Sequence, residues 1–197
     1  MPFLSPATDL APIQAILLQC LEEREPSIYR HGCRVAVLAI GVGEVLERPK
    51  EELKVLELAA KLQDLGKLLM PPFLVHKAAA FNPEEYRIMQ RHALLGARLL
   101  ESHPDTHLAS QVIMHHHERW DGKGYPGRLA GDRIPLPSQI TSVVDAYDAM
   151  TSDRYGGNQS HAHAAGEILR CRGTQFHPDV VDAFLEAAAQ GRIPLAP

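Results

Sequence analysis

Three observations predict an all-α domain. Apolar residues recur with helical period along most of the chain, no stretch alternates apolar and polar residues as a half-buried strand would, and no internal repeat interrupts the pattern. With 197 residues, 45% apolar and 22% charged, the chain is long enough for one domain with a sizeable core.

The elements follow in order. Residues 10–24 place Ile13, Ile16, Leu17 and Leu21 on one face and stop before Pro26. Residues 28–47 repeat the pattern with Val35, Leu38, Val42 and Val45, stopping before Pro49. Residues 50–65 carry Leu53, Leu56, Ala59, Ala60 and Leu62, and Gly66 is expected just past the helix end. Pro71-Pro72 breaks the chain. Asn82-Pro83-Glu84-Glu85 combines an N-cap, a proline at the first helical position and two acids, opening a helix to about Ser102. Another is expected from Asp105 to about His117.

From Glu118 to Pro137 the character changes to four glycines, three prolines and many charges, which predicts a long functional loop or a disordered one. A helix from Pro137 to about Ser152 carries Ile140, Val143, Val144 and Tyr147. Two more are expected near 160–172 and 178–190, the last closed by Gly191.

A formal charge of −4 and a pI near 6.2 give no general electrostatic reason to bind a nucleic acid polymer or an anionic membrane. Cys20, Cys33 and Cys171 lie far apart with no CxxC spacing, which argues against a disulfide framework and for a reducing compartment. The start, Met1-Pro2-Phe3-Leu4, has no positive n-region, and no apolar run approaches the roughly 18 residues that span a bilayer. A cytoplasmic location is expected.

Eleven histidines are the oddity of the composition, and seven of them fall between His76 and His117. Histidine is the commonest metal ligand. His103, His107, His161, His163 and His177 read as scattered surface residues. Others are harder to dismiss. Asp64 follows an apolar helix, Asp145 lies between Val144 and Ala146, and His31 begins an apolar segment; unpaired polar groups there would be costly. Singly, Asp64 could cap a turn and His92 could be a surface histidine. In His115-His116-His117, adjacent imidazoles at a helix end can reach one metal cluster. Together these segments offer carboxylate and imidazole ligands suited to Fe, Mn or Zn.

The segments Gln63-Asp64-Leu65-Gly66-Lys67, His92, His116-His117-Glu118, Asp121-Gly122-Lys123-Gly124-Tyr125-Pro126 and Val144-Asp145-Ala146-Tyr147-Asp148 through Arg154 resemble the HD-GYP family, a branch of the HD-domain metal-dependent phosphohydrolases. The resemblance covers about residues 28–190 in the family's order. It implies a compact helical bundle of the HD type with a long GYP loop, spanning residues 28–191 between a helical extension (1–27) and a tail (192–197). It also implies a two- or three-metal centre, with iron or manganese foremost and Zn, Ni or Mg as alternatives, acting on cyclic di-GMP or a related cyclic dinucleotide. By this resemblance His31, Asp64, His92, His116, His117 and Asp145 are the metal ligands, Asp64 bridging. Asp64 and Lys67 are the catalytic residues. Lys67 and Arg154 hold substrate phosphate, and Gly124, Tyr125 and Pro126 belong to the loop that walls the substrate groove. Metals so placed activate water and clamp phosphoryl oxygens.

The chain departs from the family pattern at three places. The histidine that gives HD its name is Gln63, a weak ligand at best because its amide is neutral. The position one turn before His31 is Ser27, where some three-metal members carry Glu. The family's Arg-Pro-Tyr-Arg is Arg154-Tyr155-Gly156-Gly157. The expectation is therefore an asymmetric centre, with a firm site built from Asp64, His92, His116 and His117 and a weak one at His31, Asp64 and Asp145. Two functions compete: a cyclic dinucleotide phosphodiesterase, or an inactive sensor or partner-binding module that uses the GYP loop. A phosphohydrolase of another nucleotide is a third reading, which the intact GYP segment disfavours.

Overall fold

The computed structural model describes residues 13–101, 103, 106–152 and 158–194. Ten α-helices run in order among them: α1 Ile13–Arg24, α2 Pro26–Val45, α3 Lys50–Leu62, α4 Pro72–Val75, α5 Pro83–Met89, α6 Arg91–Glu101, α7 His107–His115, α8 Leu136–Thr151, α9 His161–Arg170 and α10 Pro178–Ala189. The described residues contain no strand, only an isolated bridge between Arg172 and Phe176. None of their helices is long and apolar enough to cross a membrane.

The local signals act as their chemistry requires. The Asn82 side chain accepts from the N–H groups of Glu84 and Glu85 at 3.0 and 2.9 Å, while the Glu85 carboxylate accepts from the Asn82 N–H at 2.8 Å. This reciprocal cap satisfies donors that the first helical turn leaves open. Gly191, past the end of α10, has φ +68, the left-handed conformation that glycine adopts without strain.

Two expectations need correction. The helix expected from Asn82 to Ser102 is two helices, α5 and α6, broken at Gln90. Gly66 is not a helix terminator: it lies in a 3-10 turn over Leu65–Leu69, with no positive φ. Its backbone instead packs directly on α6, where an added Cβ would meet the His92 carbonyl oxygen at 2.0 Å and the Gly96 nitrogen at 2.6 Å.

Two apolar clusters share α2 and α3. The first joins Val35, Leu38 and Val42 of α2 to Leu56 of α3, Ile140, Val143 and Val144 of α8, Ile168 of α9 and Phe184 of α10. The second joins Leu21 of α1, Ile28, Leu62 and Leu65 to Leu100 of α6 and Ile113 of α7. Each fully buried side chain of this size contributes roughly 1.5–3 kcal/mol. The buried polar residues His31, Gln63, Asp64, His92 and His116 come from elements of both clusters.

The close approach at Gly66 fixes the turn after Asp64 against the helix that carries His92. Gly66→Ala should therefore cost about 1–3 kcal/mol, the usual range for overpacking, read as a lowered denaturation midpoint. An unchanged midpoint would show that α6 can move away freely.

Candidate metal centre

α3 ends at Leu62 with Gln63 as its C-cap, and Asp64 follows with φ −94 and ψ 7, the sparsely populated bridge between the helical and extended regions. This turn leaves Gln63 and Asp64 both buried, at 1% and 5% exposure. The Asp64 Oδ2 receives Lys67 Nζ at 2.7 Å and lies 3.9 Å from His31 Nε2; its Oδ1 lies 3.5 Å from His92 Nε2. Lys67 is thus paired with the carboxylate expected to bridge the metals.

His92, near the start of α6, and His116 and His117, just beyond α7, form one cluster whose ligand atoms lie within 4.8 Å of one another. The Nδ1 atoms of His92 and His116 face the carbonyls of Met89 and Ile113 at 2.7 and 2.6 Å. Those carbonyls accept only from a protonated Nδ1, so in each neutral ring Nε2 keeps its lone pair. His116 Nε2 has no hydrogen-bond partner among the described residues, and His117 Nε2 lies 3.2 Å from His92 Nε2. Without a cation, one of that pair must carry a proton for the contact to attract; a metal ion takes that role for both. Burial, with the nearby Lys67 charge, pushes His92 down to about 4. Burial likewise lowers His116, and with the neighbouring imidazoles it lowers His117 further. Neutral, inward-facing imidazoles beside a carboxylate fit a divalent transition metal.

The other half is different. His31, on α2, places Nε2 2.9 Å from Asp145 Oδ1 and Nδ1 2.7 Å from Asp148 Oδ2. Burial opposes its charge, but the hydrogen bonds to Asp145 and Asp148 carry His31 up to about 9. The Gln63 Nε2 donates to Asp145 Oδ1 at 2.9 Å and lies 3.0 Å from His31 Nε2. The amide thus brings a donor where a ligand would bring a lone pair. Asp145 thus accepts from both groups, but the Gln63 Oε1 is buried without a hydrogen-bond partner among the described residues, so the trio is only partly satisfied. With its Nε2 turned inward, the amide offers a metal fewer lone pairs than an imidazole would.

The GYP loop packs against the cluster. The Tyr125 ring lies 4.8 Å from that of His117, and the Tyr125 N–H donates to the His117 carbonyl at 3.2 Å. Burial raises the Tyr125 hydroxyl, so it stays neutral. Gly124 is required by proximity, since a Cβ there would meet the Arg119 nitrogen at 2.4 Å. The Tyr125–Pro126 peptide is cis. The buried Glu118 carboxylate accepts from the N–H groups of Gly127 and Leu129, at 2.5 and 3.0 Å, and holds the far side of the loop. A cavity of about 570 Å³ lies beyond, between this loop and Arg87, Gln90 and Arg91.

The profile of the HD domain family matches residues 15–180. The chain is 34% identical over 180 residues to a Thermotoga maritima protein named cyclic di-GMP phosphodiesterase, covering 90% of this chain and 49% of the relative. It is 31% identical over 173 residues to a Vibrio cholerae protein named 3′3′-cGAMP-specific phosphodiesterase 2, covering 86% and 33%. The solved structure of an HDG"Y"P protein from Bdellovibrio bacteriovorus superposes with a TM-score of 0.68 at 20% identity, covering 92% of this chain and 59% of that one. This chain belongs to the HD-GYP branch of the HD-domain family. It spans half or less of the length of these curated relatives.

Of the residues expected at the site of this HD-GYP domain, the structure brings together His31, Gln63, Asp64, Lys67, His92, His116, His117 and Asp145, with Tyr125 against His117. His115 turns away toward Glu118, at 3.7 Å. Arg154 lies outside the described residues. Sequence reasoning gave no role to Asp148, which orients His31 and takes a two-pronged contact from Arg34 at 2.6 and 2.8 Å. Burial works against that charge, but His31 and Arg34 hold the Asp148 carboxyl at about 2. Its signal was available: Asp145 and Asp148 are three apart on one helix and share a face. Glu118 was missed as the anchor of the loop.

These shifts predict a stability maximum for the metal-free domain. His31, raised from 6.5 to about 9, stabilises fully below pH 6.5 and loses that contribution as pH rises through 9. His92, lowered from 6.5 to about 4, takes up its proton first in the unfolded chain, so stability falls as pH drops from 6.5 toward 4. Each limb is on the order of 3 kcal/mol. Denaturation of chelator-treated protein should show both; a flat profile from pH 5 to 9 would contradict the assignment.

Proposed function

We propose that this domain hydrolyses a phosphodiester bond of a cyclic dinucleotide, cyclic di-GMP or a close relative such as 3′3′-cGAMP. The observation that carries the reading is the neutral His92–His116–His117 cluster beside Asp64, with His92 and His116 buried, next to the GYP loop that walls a cavity. The relatives' names support it. In this reading Asp64, His92, His116 and His117 hold one divalent ion firmly, Fe or Mn before Zn, Ni or Mg, while His31 and Asp145, beside Gln63, hold a second weakly. A bound ion would supply Lewis acidity to a phosphoryl oxygen and acidify a water.

The chain's own groups do the rest. Lys67, fixed on Asp64, keeps positive charge where negative charge develops on the phosphoryl oxygens. The neutral Tyr125 packs beside His117 and forms the border between the centre and the cavity behind the GYP loop. Asp148 and Arg34 hold the His31 ring in place. We read residues 28–191 as the working unit, supported by α1 through its buried Leu21.

Gln63 favours a second reading, a cyclic dinucleotide sensor or partner-binding module that uses the GYP loop without turnover. Purified protein supplied with Mn²⁺ or Fe²⁺ and cyclic di-GMP should release linear dinucleotide. Gln63→His should raise that rate at least about tenfold, by returning a ligand to the weak site. Binding without turnover under either metal, in both proteins, would favour the sensor; neither binding nor turnover would contradict both cyclic dinucleotide readings.

A further inference from the structure

The cavity beyond Tyr125 has a composition that the metal centre does not explain. One wall is Arg87, Gln90 and Arg91, at the end of α5 and the start of α6; the other is Gly122 to Pro126 with Arg128. Four of these side chains are cationic and none is acidic, in a chain whose net charge is −4. Arg87 has an exposed partner, Glu84, at 2.9 Å, a contact worth little in water. Among the described residues no carboxylate is recorded in an ion pair with Arg91, Lys123 or Arg128. Converging like charges repel, and a bound anion relieves that repulsion.

Arg128 adds an independent observation. Its φ is +51, the left-handed region that is uncommon for a residue with a Cβ. The peptide N–H groups on either side of it, of Gly127 and Leu129, both donate to the buried Glu118 carboxylate. The loop is therefore clamped with Arg128 strained, next to a glycine that could have taken the conformation freely. Strain of this kind is kept where surrounding structure over-determines it, commonly at ligand-binding sites. About 570 Å³ also exceeds what one phosphate needs and suits part of a nucleotide-sized ligand. Tyr125 lines this cavity and sets its ring 4.8 Å from that of His117, so the cavity and the histidine cluster adjoin across this one side chain.

We propose that this cavity is a second phosphate subsite, in which Arg91, Lys123 and Arg128, assisted by Arg87, bind the phosphate of the cyclic dinucleotide that is not at the metal centre. It rests on the function proposed above and deepens it: a substrate with two phosphodiesters is selected over one with a single phosphate by cations at the far end of the groove.

The test uses the full chain with Mn²⁺ and the variants Arg91→Glu, Lys123→Glu and their double. Both side chains are exposed, so folding should be kept, as a melting curve will show. Calorimetry gives Kd for cyclic di-GMP, steady-state rates give KM and kcat, and bis(p-nitrophenyl) phosphate serves as a probe with one phosphate only. The double variant should raise Kd and KM for cyclic di-GMP about tenfold or more, as expected for lost charge-assisted contacts. It should leave kcat within about threefold and the KM of the small probe unchanged, and Arg91→Lys should restore most of the affinity. Unchanged cyclic di-GMP affinity in the double variant, or an equal loss toward both ligands, would overturn the subsite while leaving the proposed function standing. A wild-type protein that binds no cyclic dinucleotide would overturn both.

Discussion

The Asp64 carboxylate, 5% exposed where the two apolar clusters adjoin, is the constraint on which the site depends. An ionised carboxylate out of water costs several kcal/mol unless charge and hydrogen bonds offset it. Two groups answer that demand with positive charge: Lys67 reaches back from the same turn and His31 approaches from α2, while the neutral His92 approaches from α6 with a lone pair that a cation would reconcile with the carboxylate. The helices carrying these partners are held by packing: α2 and α3 serve both clusters, and Gly66 lets the turn after Asp64 lie against α6 without a side chain between them. The fold and the site are one arrangement, because the elements that close the apolar contacts also carry the charged and imidazole side chains around Asp64.

The two halves around Asp64 meet the demand by different chemistry. On one side, burial strips His92, His116 and His117 of protons and leaves lone pairs facing inward, which is what a divalent ion requires. On the other, His31 keeps its proton between Asp145 and Asp148, and Gln63 adds an amide donor. A protonated imidazole between carboxylates supplies the positive charge that a metal would bring. Two features make the asymmetry: the carboxylates that keep His31 protonated, and an amide in place of an imidazole, whose Nε2 lies toward His31 and Asp145 while its Oε1 is buried without a hydrogen-bond partner among the described residues.

Much of this was legible in the sequence, and what was not has physical causes. Helix positions followed from period and caps, and Asn82-Pro83-Glu84-Glu85 formed the reciprocal cap its chemistry implies. The clustering of His92, His116 and His117 was legible only through resemblance; taken singly, His92 could be a surface histidine, yet it is 1% exposed. Gly66 resembled a helix terminator because a glycine after an apolar helix fits that role, whereas its purpose is close approach to a helix some 30 residues on in sequence. The break at Gln90 lies inside an unbroken apolar pattern, so periodicity could not reveal it. Glu118 finds its partners nine and eleven residues later, in a loop without periodicity. The cationic cavity is a product of tertiary structure, since Arg87 and Arg91 on one wall meet Lys123 and Arg128 only once the GYP loop has folded back.

The central claim is that Asp64 is shared between one position built for a metal and one closed by hydrogen bonds. Calorimetric titration of chelator-stripped protein with Mn²⁺ tests it most directly, in the wild type and in His92→Ala. The account predicts one tight equivalent, abolished in His92→Ala, and a second bound at least about tenfold more weakly. Two equally tight equivalents in the wild type, or a tight site that survives the loss of His92, would contradict it.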